Sequence, residues 1–354
     1  MCRHVPLYTP RISVGYGCGT ELRIELRTYI VIPILLAAKS SRNVEELVLL
    51  HGLENFTRNG THSDSTLKME AIPKPQGSVV IIGAGTQGRR LAHMWSSQGG
   101  TVRLVDLQEQ QLQDGLKYVE QLRADATDHE GEWGKIETSQ PSSLKSTLQD
   151  AWLVVECVPE NLQLKRKLIT QLDELAPEDT IIASNSSSYG IFEIIEGMSL
   201  KNNKRVMSAH CYWPPETSAI EIMGHKDSDP KLIGLVLEQC KEHGFSPFHV
   251  KRDSIGYIYN RIWAAIKRET LLTLSEGVAT PKEIDAIFKD VLKTPKGPCE
   301  QMDVVGLDVV LDIENHYAES RSGIPTEPRE YLREMIQGGS LGIKNGRGFY
   351  DYEE

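Results

Sequence analysis

The sequence holds little that would serve a disulfide scaffold, a metal centre or a membrane span. Its six cysteines, at positions 2, 18, 157, 211, 240 and 299, show no C-x-x-C spacing and no density that would staple a small fold. They read as reduced thiols, and no metal site is expected. Long apolar runs are missing too. The run YIVIPILLAA (29 to 38) is interrupted by Pro33 and falls well short of the about 20 residues a helix needs to cross a bilayer. Positive charge is in short supply: 39 Lys+Arg against 49 Asp+Glu give a formal net charge of -10. That balance argues against nucleic acid or an anionic membrane as partner, while leaving open a local basic pocket for a small anionic ligand. What is there, 40% hydrophobic and 25% charged residues over 354 positions, is enough to bury a full core in two domains.

Composition shifts near residue 77. Residues 1–76 carry nine Lys/Arg against seven Asp/Glu, a formal +2, which leaves -12 on residues 77–354. The first acid is Glu21, after Arg3 and Arg11, a pattern that faintly resembles an organelle transit segment. Met69, just ahead of the first strand-like run, offers a natural start. Residues 1–76 are therefore read as a disordered leader or a mis-assigned start in preference to a targeting signal, the location as cytoplasmic, and the sequons at Asn55 and Asn59 as coincidental.

From residue 77 the pattern is regular. Apolar, β-rich runs at 78–83, 101–106, 152–158 and 180–184 alternate with helix-like polar stretches, the signature of a parallel sheet wrapped by helices. RVMSAH (205–210) and SAIEIM (218–223) continue the sheet, and FSPFHV (245–250) closes it. After Asp253 the strands stop, and Thr280-Pro281-Lys282-Glu283 is a helix start in which threonine caps and proline takes the first turn. The expected architecture is α/β: a Rossmann-like, doubly wound domain over 77–252, then an all-helical domain over 253–354.

The sharpest motif is GAGTQG, residues 83–88. It follows a strand, opens a helix, and has Asp106 at the end of the next strand, 18 residues after Gly88, which is the context a dinucleotide site requires. Gly83 allows the tight turn, Gly85 lets backbone approach a pyrophosphate, and Gly88 lets the helix pack on the sheet with its N-terminal N–H groups facing the phosphates. Thr86 and Gln87 belong to the same loop and are counted with it. Asp106 would accept from the ribose hydroxyls and repel a 2'-phosphate, so NAD is favoured over NADP.

A cofactor fold does not name a reaction. Further along stand ECVPENLQLKRKL (156–168), ASNSSS (183–188), AHCYWPP (209–215), AIEI (219–222), DSIGYIYNR (253–261) and GIKNGRGFYDY (342–352). With these in view the chain, from about residue 77 onward, resembles the L-3-hydroxyacyl-CoA dehydrogenase family, which includes lambda-crystallin, an L-gulonate 3-dehydrogenase. The resemblance implies that His210 is the catalytic histidine and Glu221 the acid that orients it, one residue closer in sequence than in the hydroxyacyl-CoA members. It makes Ser187 the contact for the substrate hydroxyl and Asn260 its neighbour, and it puts Glu160, Lys165 and Lys344 along the dinucleotide. It also implies a small-molecule 3-hydroxy acid or acyl-CoA substrate and a homodimer formed through the helical domain.

Elementary chemistry agrees with those roles. Oxidising a secondary alcohol requires a base for the hydroxyl proton while hydride leaves the same carbon, and a neutral imidazole at His210 suits that. A buried carboxylate at Glu221 would stabilise the imidazolium, and Ser187 and Asn260 can donate to the developing carbonyl oxygen. The alternative, a silent dinucleotide-binding or structural protein of the crystallin type, has no need of all four. Three departures bear on the substrate. Trp213 stands where relatives carry asparagine, Cys211 and Tyr212 replace the usual phenylalanines, and the segment between Asp106 and Glu156 is short and acidic where a helical hairpin helps hold coenzyme A in relatives. Trp213 is expected either to shape the substrate pocket or to fill core space.

Overall fold

The computed structural model describes residues 75–352; Met69, the leader ahead of residue 75 and both sequons lie outside the described residues. Strand β1 (Ser78–Ile82) is buried at all five positions. Val79 and Ile81 face one side of the sheet, with Leu91, Trp95, Leu112 and Val236, while Val80 and Ile82 face the other, with Ile169 and Leu172. A strand with helices on both faces must be apolar at odd and even positions alike, which is why SVVII is a continuous run and does not alternate.

The chain continues through α1 (Thr86–Trp95), β2 (Val102–Val105), α2 (Glu109–Asp125), β3 (Ile136–Ser139), α3 (Leu144–Thr147), β4 (Ala151–Glu156), α4 (Leu162–Leu175), β5 (Ile181–Ser184) and α5 (Ile191–Ile194). It then runs through β6 (Val206–Trp213), β7 (Thr217–Met223), α6 (Pro230–Glu242) and β8 (Ser246–Val250). These form one sheet in the order β3-β2-β1-β4-β5-β6-β7-β8. The order reverses between β1 and β4, and the crevice at the carboxyl ends of those strands is where a doubly wound sheet takes its ligand.

Two features depart from the pattern read in the sequence. β3, with the sequence IETS, is an added edge strand next to β2. β7 runs antiparallel to β6, whereas every other adjacent pair is parallel. The physical reason is length. Only residues 214–216 separate β6 from β7, far too few for a crossover, so the two strands fold back as a hairpin. That hairpin sets the register on which the chemistry depends, with His210 opposite Glu221.

Beyond Val250 a turn-rich stretch leads into α7 (Tyr259–Ser275), α8 (Pro281–Leu292), α9 (Pro298–Val305), α10 (Leu307–Ser320) and α11 (Glu327–Gln337), which share a core of Leu271, Met302, Leu307, Val310 and Leu332. α8 starts as expected: the Glu283 N–H donates to the Thr280 hydroxyl, and the Thr280 N–H donates back to the Glu283 carboxylate at 2.9 Å. Among the described residues no helix is long and apolar enough to cross a membrane.

Candidate active site

The β1–α1 turn is built to bring backbone close to a ligand. Gly83 has φ of +104°, and a Cβ there would lie 2.6 Å from the Cys157 carbonyl oxygen; at Gly88 it would lie 1.7 Å from the Gly83 carbonyl oxygen. At Gly85, by contrast, a Cβ would meet nothing within 4 Å. Two glycines are thus required by close packing, and the third opens toward empty space. α1 has no side-chain cap, so the N–H groups of its first turn, which includes exposed Thr86, stay available to an anion. Asp106 accepts from the Ala84 N–H at 2.7 Å and the Gln108 N–H at 2.9 Å, fixing the turn against the end of β2 and leaving further lone pairs on both oxygens. These residues fit the adenosine and pyrophosphate of a dinucleotide. The Gln87 amide is used elsewhere: it donates to the Tyr212 carbonyl at 2.7 Å and ties the glycine turn to β6.

Beneath the crevice lies a buried charge cluster. Lys165 on α4 is 1% exposed and donates to both oxygens of Glu156 and to the Val158 carbonyl, each at 3.1 Å, with Glu160 at 3.5 Å. The Ser184 hydroxyl also donates to Glu156. The Lys165 ammonium, which the resemblance puts along the dinucleotide, is enclosed by these acids. Glu160 accepts from the Ser186 hydroxyl at 2.7 Å and the Ser187 N–H at 2.8 Å, shaping the 185–188 turn. Burial opposes its ionisation, but Lys165 and the two serines outweigh burial and hold the carboxyl below its ordinary value. Sequence reasoning passed over Glu156, whose signal was an acid at the end of an otherwise apolar strand.

His210 and Glu221 are 5% and 3% exposed on facing strands, with His210 Nδ1 3.9 Å from Glu221 Oε2. The pair is adjacent but not hydrogen-bonded, and Nδ1 has no partner among the described residues. Tyr257, missed in the sequence, lies flat against the imidazole, with centroids 4.9 Å apart and planes 10° from parallel. Its φ of 56° is uncommon for a non-glycine residue, and the turn it makes leads into α7, whose second residue is Asn260. Its hydroxyl donates to the Ser186 carbonyl at 2.7 Å. Tyr257 therefore links the 185–188 turn to the imidazole on β6. Glu221 Oε1 accepts from the Ile258 N–H at 2.8 Å and the Tyr259 N–H at 3.3 Å. Burial opposes ionisation of Glu221, yet His210, Tyr212 and these N–H groups outweigh it and keep the carboxyl below its ordinary value. Burial pushes the neighbouring Cys211 thiol up to about 12, which makes it a poor nucleophile.

Trp213 does not fill core space. It is 50% exposed, with its ring 4.8 Å from the Arg90 guanidinium, which in turn donates to the Pro214 carbonyl at 2.6 Å. Lys344 pairs with Asp308 at the start of α10, and its hydrogen bonds among the described residues go there and not to the glycine turn. A cavity of about 600 Å³ bordered by Asp173, Lys201 and Arg205 contains none of these residues, since it lies at the opposite ends of the strands.

The family model of the 3-hydroxyacyl-CoA dehydrogenase NAD-binding domain matches residues 78–254, and that of the C-terminal domain of the same enzymes matches residues 256–352. A probable 3-hydroxybutyryl-CoA dehydrogenase of Bacillus subtilis is 32% identical over 287 residues, 78% of this chain and 97% of that one. A lambda-crystallin homolog of Bos taurus is 32% identical over 225 residues, 61% of this chain and 69% of that one. Among solved structures, (S)-3-hydroxybutyryl-CoA dehydrogenase from Ralstonia eutropha aligns with a TM-score of 0.69 at 29% identity, covering 78% of this chain and 99% of that one.

Proposed function

The chain belongs to the 3-hydroxyacyl-CoA dehydrogenase family and takes NAD as its dinucleotide, and from that premise we propose that it oxidises the C3 hydroxyl of a 3-hydroxyacyl substrate, as a coenzyme A thioester or as the free acid. The observation that carries this reading is the cross-strand pairing of His210 with Glu221, with Tyr257 stacked on the imidazole and bonded to the Ser186 carbonyl. His210 takes the hydroxyl proton as the C–O bond becomes a carbonyl, and Glu221 stabilises the imidazolium that forms. Asn260 donates to the oxygen and holds it in place, and Ser187 does the same once its hydroxyl turns from Glu160 Oε1, to which it donates at 3.1 Å. The bound nicotinamide supplies the acceptor for the hydride that leaves C3. In the reverse direction the same imidazolium returns the proton to the carbonyl oxygen. The test is NADH formation with a panel of 3-hydroxyacyl-CoA thioesters and the matching free acids; no NADH from any member would remove the reading.

Within that reading Trp213 shapes the substrate end of the pocket and favours a compact hydrophobic 3-hydroxy substrate over acetoacetyl-CoA. Trp213→Asn is expected to raise acetoacetyl-CoA reduction relative to the preferred reaction by about tenfold, the scale of one pocket contact. Because the indole is half exposed and rests on Arg90, its loss should cost only about 1 kcal/mol of stability, against the roughly 3–5 kcal/mol of a buried aromatic. Thermal melts beside the two activities check both parts, and an unchanged activity ratio counts against the specificity role.

The same reading includes a two-fold homodimer through the helical part. Ile262, Ile287, Val291, Leu292, Val304 and Val305 are all exposed there, apolar surface that a second copy would cover. Sedimentation should give a dimer at working concentrations, and a monomer throughout would overturn this.

A further inference from the structure

Glu221 is engaged on both oxygens before His210 reaches it. Oε1 holds the Ile258 and Tyr259 N–H groups at the start of α7. Oε2, the oxygen nearest His210, accepts the Tyr212 hydroxyl. His210 Nδ1, 3.9 Å from that same oxygen, is left without a hydrogen bond. Tyr212 has little freedom to leave: its ring meets the His210 ring edge-on at 4.7 Å and the Tyr259 ring at 5.3 Å, boxed between the imidazole and α7.

We propose that Tyr212 is a positioning residue that competes with His210 for Glu221 Oε2, so that the resting site holds the catalytic pair apart and the carboxylate reaches the imidazole only when the phenol gives way. This rests on the reading of His210 as the base. The titratable groups that face His210 and Glu221 are Tyr212 from β6, Tyr257 stacked on the imidazole, and Tyr259 behind Tyr212. Burial, and then the adjacent carboxylate, push Tyr212 upward, so the phenol keeps its proton and remains a donor at any working pH. The phenol O–H and an imidazole N–H would each make a charge-assisted bond to a carboxylate, so one oxygen between them is contested, and here the phenol holds it.

The first readout needs no substrate. In the protein labelled with ¹⁵N-histidine, a downfield, slowly exchanging Nδ1–H resonance reports an imidazole bonded to a carboxylate, and its loss when His210→Asn is added to the protein that shows it assigns it. The wild type should lack this resonance. Tyr212→Phe, which removes one oxygen and keeps the ring, should show it, and Tyr212→Phe/Glu221→Gln should lose it again. Turnover of Tyr212→Phe should rise by about tenfold, the scale of one added charge-assisted hydrogen bond. The resonance already present in the wild type and lost in His210→Asn would overturn the proposal. So would its absence from a folded Tyr212→Phe protein with reduced turnover, which would make Tyr212 a prop for Glu221. Failure of the functional reading looks different: His210→Ala would keep its turnover whatever the resonance does.

Discussion

His210→Ala is expected to bind NAD as the wild type does and to turn over about 10²–10⁴-fold more slowly, the range for loss of a general base. The separation of effects follows from the architecture. The dinucleotide end is built from the β1–α1 turn and Asp106, none of which touches the imidazole, whereas His210 stands on the β6–β7 hairpin. Removing a side chain that meets Tyr257 and Tyr212 rings loosens that end without reaching Gly83 or Gly88. Glu221→Gln should act in the same direction but less, because an amide oxygen still accepts the N–H groups that start α7 while the negative charge that favours the imidazolium is gone. Fluorescence titration with NADH, read through the five tryptophans, gives the binding arm, and initial rates give the other. Turnover within about threefold of wild type in a variant that still binds NAD would take His210 out of the chemistry.

The second large effect concerns stability. Lys165→Met leaves Glu156, which is fully buried, without the only cation bonded to it among the described residues, and should lower unfolding free energy by about 3–5 kcal/mol in denaturant titration. The Ser184 hydroxyl and the Val158 N–H still donate to the carboxylate, but neither supplies charge. Lys165→Met/Glu156→Leu, which removes both charges together, should recover most of the loss, because an isolated buried charge is the source of the penalty. NAD affinity should fall in the single variant as well, since Glu156 and Val158 stand at the switch point of the sheet. A single variant within about 1 kcal/mol of wild type would mean that water reaches the carboxylate and that the cluster is not closed.

Much of this was legible in the chain itself. Local chemistry was most readable: the glycine turn after a buried strand, and the Thr280–Glu283 cap, are each fixed by residues a few positions apart. The added strand β3 was not, because IETS is a half-buried edge with no apolar run to mark it. The direction of β7 was readable in principle from the three-residue connection, and with it the placing of Glu221 opposite His210. What no spacing rule conveys is where a long side chain ends. Lys165 turns inward to Glu156, Lys344 is held by Asp308, Gln87 reaches the Tyr212 carbonyl and Trp213 leans on Arg90. Tyr212 and Tyr257 meet His210 only because a hairpin and a turn converge on it.

Isotope transfer shows whether this chain moves a hydride from C3 of a 3-hydroxyacyl substrate to NAD with His210 as base. The preferred member of the substrate panel, carrying deuterium at C3, is incubated with the protein and NAD, and the dinucleotide product is weighed by mass spectrometry. The account predicts deuterium in the NADH, with the rate of label transfer reduced about 10²–10⁴-fold in His210→Ala. Unlabelled NADH, or label transferred as fast by His210→Ala as by the wild type, would contradict it.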